Sequence, residues 1–101
     1  MPIENVSTLT SSLTIEAYKI YQLGTVSQAV TITFDTTTEI SGYSADYTIV
    51  FTAGNNCSIT LPNTCLYCNG VIPTYVNGRT YEINISNNLV VVSSFYAANN
   101  P

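Results

Sequence analysis

The sequence predicts an all-β fold, a small antiparallel β-sandwich or barrel-like domain behind an extended N-terminal arm. Three observations predict it. Apolar and polar residues alternate with a period of two through most of the chain, as they do in half-buried strands. Asn- and Gly-containing turn signals separate these runs. Among 101 residues, 46 % are hydrophobic and only 8 % charged, and no segment carries a compelling helical pattern.

Taken in order, residues 1–12 (MPIENVSTLTSS) are polar, with Ser and Thr prominent and no clear core face. They read as an arm that needs a neighbour to order it, and residues 13–101 read as one β-domain. The run LTIEAYKIYQL fits two periods. Leu13, Ile15 and Ala17 alternate, while Leu13, Ala17 and Ile20 would line a helix; β-branched and aromatic content and the lack of a capping box favour strand. In AVTITFD, Val30, Ile32 and Phe34 oppose Thr31 and Thr33. In DYTIVFT, Tyr47, Ile49 and Phe51 oppose Thr48, Val50 and Thr52. Cys57, Ile59 and Leu61 share a face before Pro62 stops that strand. Tyr81, Ile83 and Ile85 oppose Thr80, Glu82 and Asn84, and in LVVVSSFY Leu89, Val91 and Phe95 alternate with Val90, Val92 and Tyr96. Asn87-Asn88 between the last two runs predicts a tight hairpin, because asparagine tolerates positive φ. Asn55-Asn56, Asn69-Gly70 and Asn77-Gly78 mark further turns, giving about seven strands in all.

Charge excludes several functions. The formal net charge is −4, and Lys19 and Arg79 are the only basic residues, too few to neutralise a phosphate backbone or an anionic membrane surface. No run approaches the roughly 20 apolar residues of a membrane-spanning helix. The first residues lack the features of a signal peptide, so folding in a cytoplasm is expected, with Cys57, Cys65 and Cys68 as free thiols. Without a secretory signal, the Asn-x-Ser matches at Asn5, Asn56 and Asn84 carry no weight.

Catalytic chemistry finds little support. Histidine is absent, which removes the usual general base and every Ser-His or Cys-His arrangement. Of the six carboxylates, Asp35 and Asp46 stand at strand ends where acids cap turns, and Glu82 reads as solvated or paired with Arg79. Cys65-Leu66-Tyr67-Cys68 has the spacing of a zinc or redox motif. Zinc wants four ligands and only Cys57 could be added, and the strand-to-helix setting of a redox pair is missing. No enzyme activity, cofactor or metal is therefore expected. The eight tyrosines offer aromatic bodies with polar tips suited to a subunit interface or to contact with a glycan. Tyr43, Tyr67 and Tyr75 are the candidates for such contacts.

Residues 30–96 also carry an ordered set of short motifs: Phe51-Thr52-Ala53-Gly54, Thr60-Leu61-Pro62, Asn69-Gly70, Pro73, Arg79-Thr80-Tyr81-Glu82-Ile83 and Asn87 to Val92. In this order and spacing they resemble a small β-domain that recurs in virion proteins of phages and prophages of gut bacteria. Such relatives are expected to carry an aromatic or a lysine where this chain has Cys65 or Cys68. The resemblance implies a non-catalytic virion structural protein, assembled in the host cytoplasm. Its short length and arm are similar in kind to the trimeric head fibres of crAss-like phages and imply a capsid decoration or head-fibre protein. The partners then expected are two further copies in a homotrimer, and the major capsid protein or another virion protein. Ile3, Val6 and Leu9, spaced every third residue along the arm, would make the anchoring contacts. A tail-fibre or receptor-binding component touching a host-surface glycan is the alternative.

Overall fold

A computed structural model describes residues 1–96, and the last five positions of the expected domain, 97–101, lie outside them. The described chain is built of strands: β1 (Ile3–Asn5), β2 (Ser12–Glu16), β3 (Ile20–Val26), β4 (Ala29–Asp35), β5 (Asp46–Ala53), β6 (Ser58–Thr60), β7 (Leu66–Tyr67), β8 (Thr80–Ser86) and β9 (Leu89–Phe95). Two 3₁₀ turns, Thr36–Thr38 and Cys68–Gly70, are the only helical pieces among the described residues. A six-stranded sheet has the order β1-β3-β5-β8-β9-β7, and a three-stranded sheet the order β2-β4-β6.

The expectation of an antiparallel fold needs correction. From β1 to β6 the chain alternates between the two sheets, so each strand returns beside the one two places earlier and runs parallel to it. Only β5–β8 and β8–β9 are antiparallel; β7–β9 is parallel again. Alternation of side chains specifies a half-buried strand but says nothing about the direction of its neighbour, which the sheet-crossing corners determine here.

Those corners have local causes. The ambiguous run Leu13–Leu23 is strand on both sides of a bend at Tyr18, whose φ of 64° reverses the chain into the opposite sheet. A left-handed φ is unusual for a bulky residue. Two bonds hold it: the Tyr18 N–H donates to Asp46 C=O at 2.8 Å, and the Tyr18 hydroxyl accepts the Ile40 N–H at 3.1 Å. The corner after β5 stacks on the corner after β3 through Gly54 N–H to Val26 C=O at 2.8 Å. A Cβ at Gly54 would run into Ser27 Oγ, so glycine permits that close approach. The β8–β9 hairpin turns through Asn87 and Asn88, with φ of 50° and 68°, as the Asn-Asn signal predicts.

The two sheets share one core. Ile15, Val30, Ile32 and Ile59 of the smaller sheet join a cluster with Tyr47, Ile49, Phe51, Tyr81, Ile83 and Ile85 of the larger. These are the apolar positions of the period-two runs. The Phe34 and Tyr47 rings stack at 4.0 Å, and the Tyr47 hydroxyl donates to Glu39 at 2.7 Å. Matched threonines tie neighbouring strands, Thr14 to Thr33 at 2.7 Å and Thr52 to Thr80 at 3.0 Å.

The expected arm does not stand apart either. β1 pairs with β3, the Val6 N–H donates to Gln22 C=O at 2.9 Å, and β2 already begins at Ser12. Val6 and Leu9 pack against the core, and of the three expected anchors only Ile3 is well exposed, at 58 %. The segment's β-branched residues find a sheet edge within the same chain, where hydrogen bonds offset the cost of ordering them.

Candidate functional site

Between β6 and β8 the chain runs from Leu61 to Arg79 with little regular structure, and two concavities flank this stretch. The first, about 510 Å³, is lined by Cys57, Leu61, Cys65, Tyr67, Ile72 and Tyr75 among others. The second, about 390 Å³, lies against β9 and is lined by residues that include Val71, Val76, Arg79, Val92 and Ser94. Tyr67, Pro73 and Thr74 border both.

The first cavity unites two of the three candidate tyrosines. The ring of Tyr75 meets Phe51 edge-on at 5.1 Å and Tyr81 at 4.9 Å, an arrangement that holds it rigidly. Tyr43 is not part of this group; it lies in the loop between β4 and β5, 72 % exposed. Among the described residues the Tyr75 hydroxyl is the one buried side-chain polar atom without a hydrogen-bond partner, and burial pushes its pKa well above the ordinary tyrosine value. An unsatisfied buried hydroxyl costs about 1–3 kcal/mol. Tyr75→Phe is therefore expected to leave stability unchanged or raise it by about 1 kcal/mol, read from the urea midpoint. A clear loss would mean that the hydroxyl has a bound partner in solution.

The cysteines in this region are free, with Cys57 and Cys65 half-buried and Cys68 exposed. Burial raises the pKa of both half-buried thiols, so they are protonated at neutral pH and poor as nucleophiles. Among the described residues no three His, Cys, Asp or Glu side chains gather as a metal would require. Asp35 accepts the Thr37 N–H at 3.2 Å, and Asp46 accepts the Ser86 and Ser44 hydroxyls at 2.8 and 3.1 Å, so both serve local structure. Of the two expectations for Glu82, solvation or pairing with Arg79, the pairing is not made among the described residues. Glu82 accepts Asn84 Nδ2 at 2.8 Å, while Arg79 lies 4.9 Å above the ring of Tyr96. Lys19 pairs with Glu16 at 3.3 Å and Glu4 at 3.7 Å.

The second concavity borders a surface that the sequence reading does not anticipate. Leu66, Leu89, Val91 and Phe95 are exposed on β7 and β9, Val71, Ile72 and Val76 on the adjoining loop, and Tyr96 just after β9. Eight of the twelve large exposed apolar residues among those described thus fall on β7, on β9 and the residue after it, and on the chain between β7 and β8. The strand residues do carry a signal. With Tyr81, Ile83 and Ile85 facing inward, a two-residue turn places Val90 opposite Ile85 and turns Leu89, Val91 and Phe95 outward. The loop residues follow no period and carry no such signal.

No protein-family model matches the chain, and neither a curated protein nor a solved structure is significantly similar to it.

Proposed function

We propose that this chain is a non-catalytic β-sandwich module that works by assembly, as a structural protein of a phage particle. A capsid decoration or head-fibre protein is the best reading, assembled as a homotrimer and docked on the major capsid protein or another virion protein. The observation that carries assembly is the apolar region along β7, β9 and the loop from Val71 to Val76. Exposed large apolar side chains concentrated on neighbouring elements point to an interaction site. Here it sits on a chain with only 8 % charged residues, in keeping with the depletion of charge at the centres of interfaces. The phage setting rests on the resemblance of residues 30–96 to virion β-domains, and the likeness in kind to head fibres assigns docking on the particle to the N-terminal segment.

A second reading, a tail or receptor-binding component, draws on the convergence of Tyr67 and Tyr75 at one open cavity bordered by Asn63 and Thr74. Aromatic faces beside neutral hydrogen-bonding groups suit a sugar.

The test is to band phage particles from a culture making this chain and to probe the band with an antibody against it. Co-banding in many copies per particle is expected. Absence from the particles would overturn the virion assignment. Few copies together with binding on a glycan array would replace the capsid role with the receptor-binding one.

A further inference from the structure

The six-stranded sheet ends in two edges that fit one another. At one edge, β9 is paired with β8 along its whole length but with β7 only at Leu89 and Val90. The two-residue hairpin makes Leu89, Val91, Ser93 and Phe95 exchange backbone bonds with β8. The N–H and C=O groups of Val92 and Ser94 therefore point away from β8, and among the described residues they make no backbone hydrogen bond, although the Cys68–Gly70 turn lies alongside β9. At the other edge, Ile20 N–H donates to Pro2 C=O and Val6 N–H to Gln22 C=O. Pro2, Glu4 and Val6 thus face β3, and Ile3 and Asn5 turn their backbone groups outward.

Direction and facing match as well. β1, β3 and β5 are parallel, and two antiparallel steps through β8 bring β9 back to the direction of β1. Glu4 is in register with buried Tyr21 and so lies on the core-facing side of the sheet, with Ile3 and Asn5 on the outer side. On β9, Val90 is buried, which puts Val92 and Ser94 on the core-facing side and Val91 and Phe95 outside. The groove beside the open half of β9 contains Arg79, and no carboxylate pairs with it among the described residues.

We propose that β1 of a second copy adds in parallel to the open edge of β9, with Glu4 opposite Ser94, so that the sheets of neighbouring copies run on as one. Ile3 N–H then donates to Val92 C=O, Ser94 N–H to Ile3 C=O, and Asn5 N–H to Ser94 C=O. Glu4 enters the groove toward Arg79, and Ile3 comes to lie between Val91 and Phe95 on the outer face. Because the two edges differ, the contact is heterologous. It closes into a ring where the rotation between copies divides a full turn, a third of a turn for a trimer, and otherwise grows a filament. It also covers the unpaired strand edge, which would otherwise invite indiscriminate pairing. The inference rests on the self-assembly proposed above and specifies its interface.

The test uses residues 1–101 with any tag at the C-terminus, so that β1 stays untagged, and follows the mass by light scattering across a dilution series. Ser94→Pro removes an outward N–H without touching the β8 pairing, and Arg79→Glu reverses the groove's charge. Each is expected to raise the dissociation constant about tenfold or more while the far-ultraviolet circular dichroism stays that of the parent. Glu4→Arg combined with Arg79→Glu is expected to recover most of the loss, which a merely destabilised fold would not do. A parent oligomer indifferent to both single changes would overturn this interface and leave self-assembly standing. A parent that stays monomeric at every concentration would overturn both.

Discussion

Ile83→Ala is expected to lower the stability of this domain by about 2–5 kcal/mol, the range for truncating a fully buried aliphatic side chain. Ile83 is 0 % exposed and sits in the middle of β8, in register with Ile49 on one side and Val92 on the other. No large flexible neighbour is available to fill the space, because Ile49, Ile85 and Phe51 are themselves fully buried. A single domain of this size has roughly 5–15 kcal/mol in total, so the substitution removes a substantial fraction of it. The urea midpoint should fall sharply at an unchanged slope. Ile3→Ala serves as the contrast, with an effect on the monomer within about 0.5 kcal/mol because its side chain is largely in solvent. Equal effects from the two would contradict the placement of the core.

Alkaline pH should unfold the protein unusually early. Desolvation, the largest cause, with the Glu39 carboxylate beside the hydroxyl, raises the pKa of Tyr47 far above its ordinary value of 10.0. Burial does the same for Tyr75 and, more modestly, for Tyr67. The half-buried thiols of Cys57 and Cys65 are raised from 9.0. In each case the folded state holds its proton more tightly than the unfolded chain. The stability these groups contribute is complete below the unfolded pKa and is lost as pH rises toward the folded one. The decline should start near pH 9 with the thiols and steepen above pH 10 with the phenols. Each group that is ionised only in the unfolded chain adds up to about 1.4 kcal/mol per pH unit. Urea midpoints across this range measure the limb. Tyr47→Phe together with Tyr75→Phe should flatten the part above pH 10, and a limb unchanged in that double variant would refute the assignment.

Much of the core is legible in the amino-acid order. Period two identifies Tyr47, Ile49 and Phe51, and Tyr81, Ile83 and Ile85, because a pleated strand sends alternate side chains to opposite faces. The Asn87-Asn88 turn is legible because few residues accept positive φ at both central positions. The candidate site is legible only in fragments. Tyr67 and Tyr75 stand out for their chemistry, but nothing in their spacing tells that an irregular stretch carries both to one cavity while Tyr43 stays apart. The apolar face of β9 lies within reach, since the hairpin and the inward face of β8 imply it. Val71, Ile72 and Val76 do not, because a loop has no period from which exposure can be read.

The position of most strands, the apolar side of each and most of the turns thus follow from the order of residues alone. They depend on backbone sterics and on the partition of side chains from water, which act over a few residues. The parallel pairing of β1 to β6 by alternation between sheets follows from no such local rule. Nor does the joining of the first twelve residues to the sheet as β1 and the approach to β2. Pairing direction and partner arise from contacts between residues far apart in the chain. They depend on corners such as Tyr18 and Gly54, whose role becomes visible only when the segments they connect are placed side by side.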